Sequence, residues 1–298
     1  MNTRKNLKID LKDLRFLVRN LGIFAFLVRN HSKPADVLFK VAWKKLDRSG
    51  SALAANNFRQ IPARNIQHRK LRQVFKHLFP GFSPEITLSD PSIINELRSR
   101  QSIIAMIHTQ GEYAILAALD RAGLRSAMIT ASPINNTRLA NYGVRNAPLN
   151  ILRTSSTFVE ARAALRDGYT LVCDVDYVPD KKSANADRYI STPLFDFQRL
   201  VRADLYFAHI RIGEEGEMEC VVERAPGNDN LNGSVALTAA QFIEFIDKLQ
   251  DKPSKLKVGD WSTHMGPKSG SRQHGQASAS VSKKAPSAST IQSRGEHD

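Results

Sequence analysis

The sequence has few cysteines, and neither stands in a functional spacing. Cys173 and Cys220 are the only two in 298 residues. No C-x-x-C pair and no Cys/His cluster with metal-ligand spacing is present, so we predict neither a disulfide framework nor a metal site. Cys173 lies in an apolar run, where we expect an inert, buried thiol. Because the sequence also has no recognisable signal peptide, these features favour a cytoplasmic protein.

Glycine-rich nucleotide motifs are absent as well. The chain contains neither G-x-x-x-x-G-K-[ST] nor G-x-G-x-x-G, so nothing supports an ATP or NAD role. It also lacks the G-x-S-x-G turn of many serine hydrolases, which argues against Ser-His-Asp chemistry. We therefore predict no resident cofactor.

Long hydrophobic runs are missing too. The best candidate, Leu14–Val28, has only 15 residues and contains Arg15 and Arg19. A membrane-spanning helix needs roughly 20 mostly apolar residues, so this segment is not expected to cross a bilayer. It would either lie in the membrane interface or pack on its own domain, and the sequence leaves both open.

Acidic residues are scarce in one part of the chain. Residues 1–80 carry 18 Lys/Arg against 4 Asp, which accounts for the whole net charge of +14. An anionic membrane surface or an acidic carrier protein would complement this region. The basic residues alternate with Leu, Phe, Ile and Val rather than with stacking aromatics, so we expect no nucleic acid partner.

Composition divides the chain into three regions. Residues 1–80 are predicted to form a basic amphipathic helical region that packs on the core or leads into it. Residues 81–266 are predicted to form an α/β core. Residues 267–298 consist mainly of Ser, Ala, Gln, Gly, Lys and Arg, a composition that predicts a disordered tail.

Hydrophobic periodicity predicts strands that alternate with helices after residue 100, which is typical of a mixed sheet flanked by helices. The predicted strands are Ile103–Ile107, Ser126–Ala131, Asn150–Arg153, Leu171–Cys173, Leu205–Ile212 and Glu217–Glu223. The predicted helices are Leu11–Arg29, Ala35–Leu46, Arg64–Leu78, Ser92–Arg98, Glu112–Ala122, Thr157–Asp167 and Ala236–Leu249. Gly168 stands where a helix C-cap is expected.

The stretch S-I-I-A-M-I-H-T-Q-G-E, residues 102–112, is the most informative in the chain. An apolar strand ends at His108, and Glu112 then begins a helix. A histidine beside a carboxylate can take a proton from a hydroxyl, because the acid fixes the imidazole tautomer and stabilises the imidazolium. A simple capping turn would also explain such a pair, and the residues alone leave both open.

Polar residues also follow the later strands. Asp174, Asp176 and Tyr177 come after one apolar strand, and Arg153 follows another. Ligands of open α/β sheets bind outside the carboxyl ends of strands, so we expect these side chains to form a binding site together with His108. Turn capping by the aspartates and a surface pair between Arg153 and Glu160 are the structural alternatives.

The stretch from about Arg64 to Trp261 resembles the lysophospholipid acyltransferase superfamily, in particular its bacterial lipid A late acyltransferase (lauroyl/myristoyl transferase) branch. The matching segments are Arg64-Asn65, Phe79-Pro80, His108 with Glu112, Arg153 with Ala161–Gly168, Asp174–Tyr177, Thr192–Phe195 and Gly259–Trp261. In this comparison Thr192–Phe195 corresponds to a Phe-Phe-Gly-like loop of the family.

The resemblance implies transfer of a fatty acyl group from an acyl thioester, carried by acyl carrier protein or CoA, to a hydroxyl of a lipid or glycolipid. His108 would be the general base and Glu112 would orient it. Arg153 would hold a phosphate, and Asp174 and Asp176 would position the acceptor with Tyr177 beside them. Phe195 would line the acyl groove with Leu194 and Phe197, and ordinary core packing is the alternative that each of these three residues favours by itself. The implied location is cytoplasmic, with peripheral attachment to the inner face of the bacterial inner membrane.

Two alternatives remain open at this point. The family places one more residue between its histidine and its acid than this chain does. That shorter spacing favours a non-catalytic relative that binds acyl groups or lipids on the same fold. The other alternative is a basic membrane-surface interaction protein with a passive α/β scaffold.

Overall fold

A computed structural model describes residues 34–48, 63–79, 82–108, 112–177, 188–227, 234–250 and 256–259. All of these residues belong to the unit Met1–Trp261; the second unit, Ser262–Asp298, contains none of them. The predicted helix Leu11–Arg29, the segment Leu14–Val28, Trp261 and the tail from residue 267 therefore lie outside the described residues.

Alternating helices and strands make up the described chain. Its helices are α1 (Pro34–Arg48), α2 (Ala63–Leu78), α3 (Ile93–Ser99), α4 (Glu112–Arg121), α5 (Asn136–Ala140), α6 (Thr157–Arg166), α7 (Pro193–Val201) and α8 (Val235–Leu249). Its strands are β1 (Ile86–Leu88), β2 (Ser102–Met106), β3 (Ser126–Thr130), β4 (Leu149–Leu152), β5 (Thr170–Asp174), β6 (Asp176–Tyr177), β7 (Arg188–Ile190), β8 (Asp204–Ile212), β9 (Met218–Arg224) and β10 (Leu256–Val258).

Seven strands form the main sheet, in the order β1-β9-β8-β2-β5-β3-β4. All neighbours in it are parallel except the hairpin β8–β9, in which Tyr206 pairs with Arg224. A second, smaller sheet has the strand order β10-β7-β6. The prediction of an α/β fold with a mixed sheet flanked by helices is therefore confirmed.

Each face of the main sheet carries its own apolar core. Side chains alternate along a strand, so Ile103 and Ala105 of β2 face one core while Ile104 and Met106 face the other. Burial on both faces explains the continuous apolar run of β2, which is typical of central parallel strands.

Helices α1 and α2 pack against the turn that joins β8 to β9. Trp43 Nε1 donates to the carbonyl of Gly213 at 3.1 Å, and His68 Nε2 lies 2.8 Å from the carbonyl oxygen of Gly216. Gly216 has a φ of +84°, and a Cβ at this position would stand 2.8 Å from Trp43 Cγ. The turn thus needs glycine both for its backbone conformation and for the close approach of the indole.

Most element boundaries predicted from the sequence agree with the structure to within two residues, and Gly168 follows α6 with a φ of +77°. The segment Thr192–Phe195 is the clearest error, since it is not a loop. Thr192 is the N-cap and Pro193 the first residue of α7. Proline lacks a backbone N–H, and the N–H groups in the first turn of a helix have no partner within the helix. Pro193 can therefore begin α7 without the loss of a hydrogen bond. The short elements β1, α5, β6, β7 and β10 were not predicted either.

Among the described residues, no helix combines the length and the apolar character that crossing a bilayer requires.

Candidate active site

The site lies where the central parallel strands end. Met106 of β2 pairs with Asp174 of β5, and the amide of Val175 donates to the carbonyl of Met106 at 2.8 Å. This pairing places His108, two residues past the end of β2, beside both Asp174 and Asp176. These three side chains, which were predicted to lie together at the strand ends, do lie together in the structure.

The two ring nitrogens of His108 face different carboxylates. Nδ1 lies 3.1 Å from Asp176 Oδ1, and Nε2 lies 3.3 Å from Asp174 Oδ2. The backbone amide of His108 also donates to Asp176 Oδ1, at 2.5 Å. The imidazole side chain is 30% exposed, while the Asp174 and Asp176 side chains are 6% and 4% exposed. His108 thus lies between two buried carboxylates, one at each ring nitrogen, and its side chain stays partly exposed.

Arg188 fixes the second oxygen of Asp176. Its Nη2 donates to Asp176 Oδ2 at 2.7 Å and to the carbonyl of His108 at 3.2 Å. Burial alone would raise the pKa of Asp176, but hydrogen bonds and positive charge from His108 and Arg188 hold that pKa well below its usual value. Asp176 therefore stays ionised at neutral pH and accepts hydrogen bonds.

A cleft of about 420 Å³ opens beside His108 and Asp174. That volume lies in the range of small-molecule sites, which is roughly 300–1,000 Å³. Tyr113 and Ile134 supply part of its wall, and Arg138 and Arg153 supply two guanidinium groups. Arg153 Nη2 also donates to the carbonyl of Asp174 at 3.1 Å. The cleft thus combines an imidazole, a carboxylate and two guanidinium groups.

Two residues predicted for the site, Glu112 and Tyr177, are not seen beside His108 in the described structure. Glu112 begins α4, but its side chain lies outside the described part of the structure, so a His108–Glu112 contact stays a prediction. Tyr177 lies in the small sheet, and the centres of its ring and the Tyr189 ring are 5.8 Å apart. Its hydroxyl packs so closely on Gly259 that a Cβ at that position would stand 2.5 Å from it. Tyr177 does not line the cleft beside His108.

The predicted acyl-groove residues belong to the core instead. Phe195 is fully buried among apolar side chains, with its ring 6.5 Å from that of Phe242, and Leu194 and Phe197 lie in the same cluster. The physical reason is the helix that begins at Pro193: its apolar face packs against the sheet and α8. None of the three side chains lines the cleft.

Sequence reasoning missed Arg188 and Arg138. Arg188 follows a polar stretch with no apolar pattern and is positioned only by the short strand β7. The sequence offers one indication for Arg138, which is its position in the segment that follows the strand ending at Thr130. Its short helix is capped by Asn135. The rule that sites lie beyond strand ends would have included it if it had been applied to every strand.

His108, Asp174 and Asp176 together could also surround a divalent cation, since one potential ligand atom from each lies within 4.8 Å of the others. One feature favours proton transfer over metal binding. Arg188 already neutralises Asp176, which weakens the attraction of this group for a cation. The D-x-D spacing of Asp174 and Asp176 is the sequence signal for such a site, but that pattern is common by chance and carries little weight.

The cysteines behave as expected from the sequence. Burial raises the pKa of the Cys173 thiol and of the Cys220 thiol to about 12 in each case, and both cysteines are free. A thiol that stays protonated is a poor nucleophile, so Cys173 is an unreactive neighbour of the site.

A second histidine, His209, is buried near the site on β8. Burial, together with the positive charges of Arg211 and Arg188, lowers its pKa from 6.5 to about 4. The folded protein therefore keeps His209 neutral in a pH range where the unfolded chain protonates it. As pH falls from 6.5 to 4, we expect this difference to reduce the free energy of unfolding by roughly 3 kcal/mol.

Denaturant unfolding measured at several pH values between 7 and 4 checks this expectation. The variant His209→Gln cannot titrate at this position and should lose stability less steeply over the same interval. An unchanged pH dependence in that variant would contradict the assignment to His209.

Comparison of the chain with known protein families and with curated proteins finds no match. The geometry of the site itself is therefore the basis for a functional proposal.

Proposed function

We propose that this protein is an acyltransferase of the lysophospholipid acyltransferase type. It would move a fatty acyl group from an acyl thioester, on acyl carrier protein or CoA, to a hydroxyl of a lipid or glycolipid acceptor. The observation that carries the proposal is the orientation of His108. Its Nδ1 lies against the buried, ionised carboxylate of Asp176, its Nε2 lies 3.3 Å from Asp174 Oδ2, and both His108 and Asp174 line the cleft.

Asp176 takes the supporting role that the sequence analysis gave to Glu112. A carboxylate that accepts the Nδ1 proton fixes the tautomer in which Nε2 can accept a proton, and it stabilises the imidazolium formed later. Arg188 and the His108 amide hold this carboxylate in place. Asp174 would position the acceptor hydroxyl next to Nε2.

The proposed step needs no acyl-enzyme intermediate, because a thioester is already activated. The acceptor oxygen forms a bond with the thioester carbonyl carbon while its proton passes to His108 Nε2. The carbon–sulfur bond then breaks, and the imidazolium returns the proton to the departing thiolate. Arg153 and Arg138 line the same cleft and would bind a phosphate of the donor or of the acceptor.

The basic N-terminal helices offer a surface for the proposed partners. Strand β8 is parallel to β2, so the β8–β9 turn that α1 and α2 contact lies at the same edge of the sheet as His108. Arg69, Lys70 and Leu78 are exposed on α2. This surface would face an anionic membrane or an acidic carrier protein, with the cleft near it.

An acyl-transfer assay tests the proposal. The full chain is incubated with an acyl-CoA or acyl carrier protein thioester and with lipid acceptors that carry a free hydroxyl. We expect release of free thiol that depends on the acceptor, together with a product heavier by one acyl group in mass spectrometry. Binding of acyl groups without any transfer would instead support a non-catalytic relative, and binding of vesicles alone a membrane-surface protein.

A chelator in the same assay distinguishes proton transfer from metal chemistry. Because Asp176 already pairs with Arg188 and His108, we expect the rate to be the same with and without EDTA. Loss of activity in EDTA that Mg²⁺ or Zn²⁺ restores would assign the His108, Asp174 and Asp176 group to a metal.

A further inference from the structure

A second cleft lies at the opposite edge of the main sheet from His108. It has a volume of about 480 Å³ and is formed by residues that precede β2, β3 and β5. The strand from Gln101 to His108 would separate the two clefts by roughly 20 Å, at about 3.3 Å per residue. The second cleft therefore plays no part in the chemistry proposed above.

Among the described residues that line this cleft, arginine provides every charged side chain. The four are Arg98, Arg100, Arg125 and Arg166, and no aspartate or glutamate is among the described residues that line it. We refer to it as the arginine cleft. Four guanidinium groups around one concavity create a strongly positive site.

Contacts outside the cleft hold three of these arginines in place. Arg98 Nη2 donates to the carbonyl of Ala122 at 2.8 Å, and Arg100 Nη1 lies 3.2 Å from Asp204 Oδ2. Arg125 stacks over the ring of Tyr169, 4.6 Å from its centre, and donates to the carbonyl of Asp167. A guanidinium has five N–H donors, so each arginine keeps several for a ligand.

Capping of helix ends explains part of this arrangement but not all of it. Ala122 and Asp167 follow the ends of α4 and α6, where carbonyl groups attract cations. Two arginines satisfy these carbonyls, and Arg100 and Arg166 bring two further positive charges to the same concavity. Planar guanidinium groups match the oxygens of phosphate in a bidentate way, which a set of lysines would not do.

We propose that the arginine cleft binds a small phosphorylated molecule, at a site separate from the His108 cleft. The prearranged guanidinium groups and the volume of the cleft favour a small ligand. This inference does not depend on the proposed acyltransferase activity, because none of its residues lies in the His108 cleft.

Calorimetric titration of the full chain with pyrophosphate, at physiological salt, tests this proposal. We expect saturable binding that Arg100→Gln/Arg166→Gln weakens at least tenfold. Both side chains are exposed, and Asp204 keeps its contact with Arg224 at 3.2 Å, so this variant should fold normally. The double variant Arg162→Gln/Lys248→Gln removes the same charge outside the cleft and should bind like the wild type.

The His108→Ala variant should also bind pyrophosphate like the wild type, whether or not acyl transfer is ever detected. Absence of saturable binding, unchanged binding in the Arg100/Arg166 variant, or equal weakening in the Arg162/Lys248 control would overturn the proposal. Phosphatidylglycerol vesicles are the second probe. Suppose that the wild type binds these vesicles but not pyrophosphate, and that Arg100→Gln/Arg166→Gln abolishes the vesicle binding. The cleft would then recognise a lipid headgroup, and this result would also overturn the proposal of a small phosphorylated ligand.

Discussion

Replacing His108 by alanine is expected to lower the rate of acyl transfer by roughly 10²–10⁴-fold, the usual contribution of a general base. The loss follows from its position, since His108 lines the cleft and Asp176 holds its Nδ1. The measurement is initial-rate release of thiol from an acyl thioester in the presence of a hydroxyl acceptor. Because the side chain is 30% exposed, its removal should leave the cooperativity of thermal unfolding unchanged.

Two carboxyl variants decide which acid supports His108. Asp176→Asn keeps the shape of the side chain but removes the charge that faces Nδ1, and we expect it to reduce the rate nearly as much as His108→Ala. Glu112→Gln is the matched control, because the sequence analysis gave that residue the same role. A large loss with Glu112→Gln and a small one with Asp176→Asn would restore the original assignment.

The His108→Ala result also separates the proposed function from its alternatives. A non-catalytic acyl-binding relative would bind acyl groups in both the wild type and the variant and transfer them in neither. A variant as active as the wild type would remove His108 from the mechanism and leave the resemblance without its central residue.

The main sheet and the helices around it could be predicted from local patterns. The run Ile103–Ile107 is apolar at every position, which indicates a strand that is buried on both faces, and the structure buries all of it. Helix α6 was found because apolar residues recur at helical spacing and Gly168 then ends the pattern. These signals are local, so one sequence is enough to detect them.

The small sheet could not be predicted in the same way. Strand β6 has two residues and strands β7 and β10 have three each, too few to show an alternating pattern. Each depends on partners distant in sequence, as in the pairing of Leu256 with Arg188. Arg188 was missed for this reason, although it contacts both Asp176 and His108.

The acid that pairs with His108 shows the same limit. Sequence proximity favoured Glu112, four residues away, whereas the parallel pairing of β2 with β5 brings residues 174 and 176 to the imidazole. The sequence analysis placed Asp174 and Asp176 in the site, but it could not determine which carboxylate faces which nitrogen. That depends on strand register, which no local pattern reports.

Replacing Arg188 by methionine should lower the free energy of unfolding by about 3–5 kcal/mol at pH 7, the usual cost of removing one partner from a buried ion pair. Arg188 and Asp176 are 9% and 4% exposed, and their closest N–O distance is 2.7 Å. The variant would leave the Asp176 carboxylate buried without its cation. Urea unfolding followed by circular dichroism measures the change.

An exposed pair of the same type provides the control. Arg211 Nη2 lies 2.6 Å from Glu219 Oε2, with side chains 44% and 28% exposed, and Arg211→Met should cost at most about 1 kcal/mol. Asp176→Asn combined with Arg188→Met should be less destabilising than the sum of the single changes. Each single change leaves one buried charge without its partner, whereas the double variant removes both charges. If Arg188→Met costs no more than Arg211→Met, Arg188 does not stabilise the carboxylate behind His108, and its proposed role as a positioning residue is wrong.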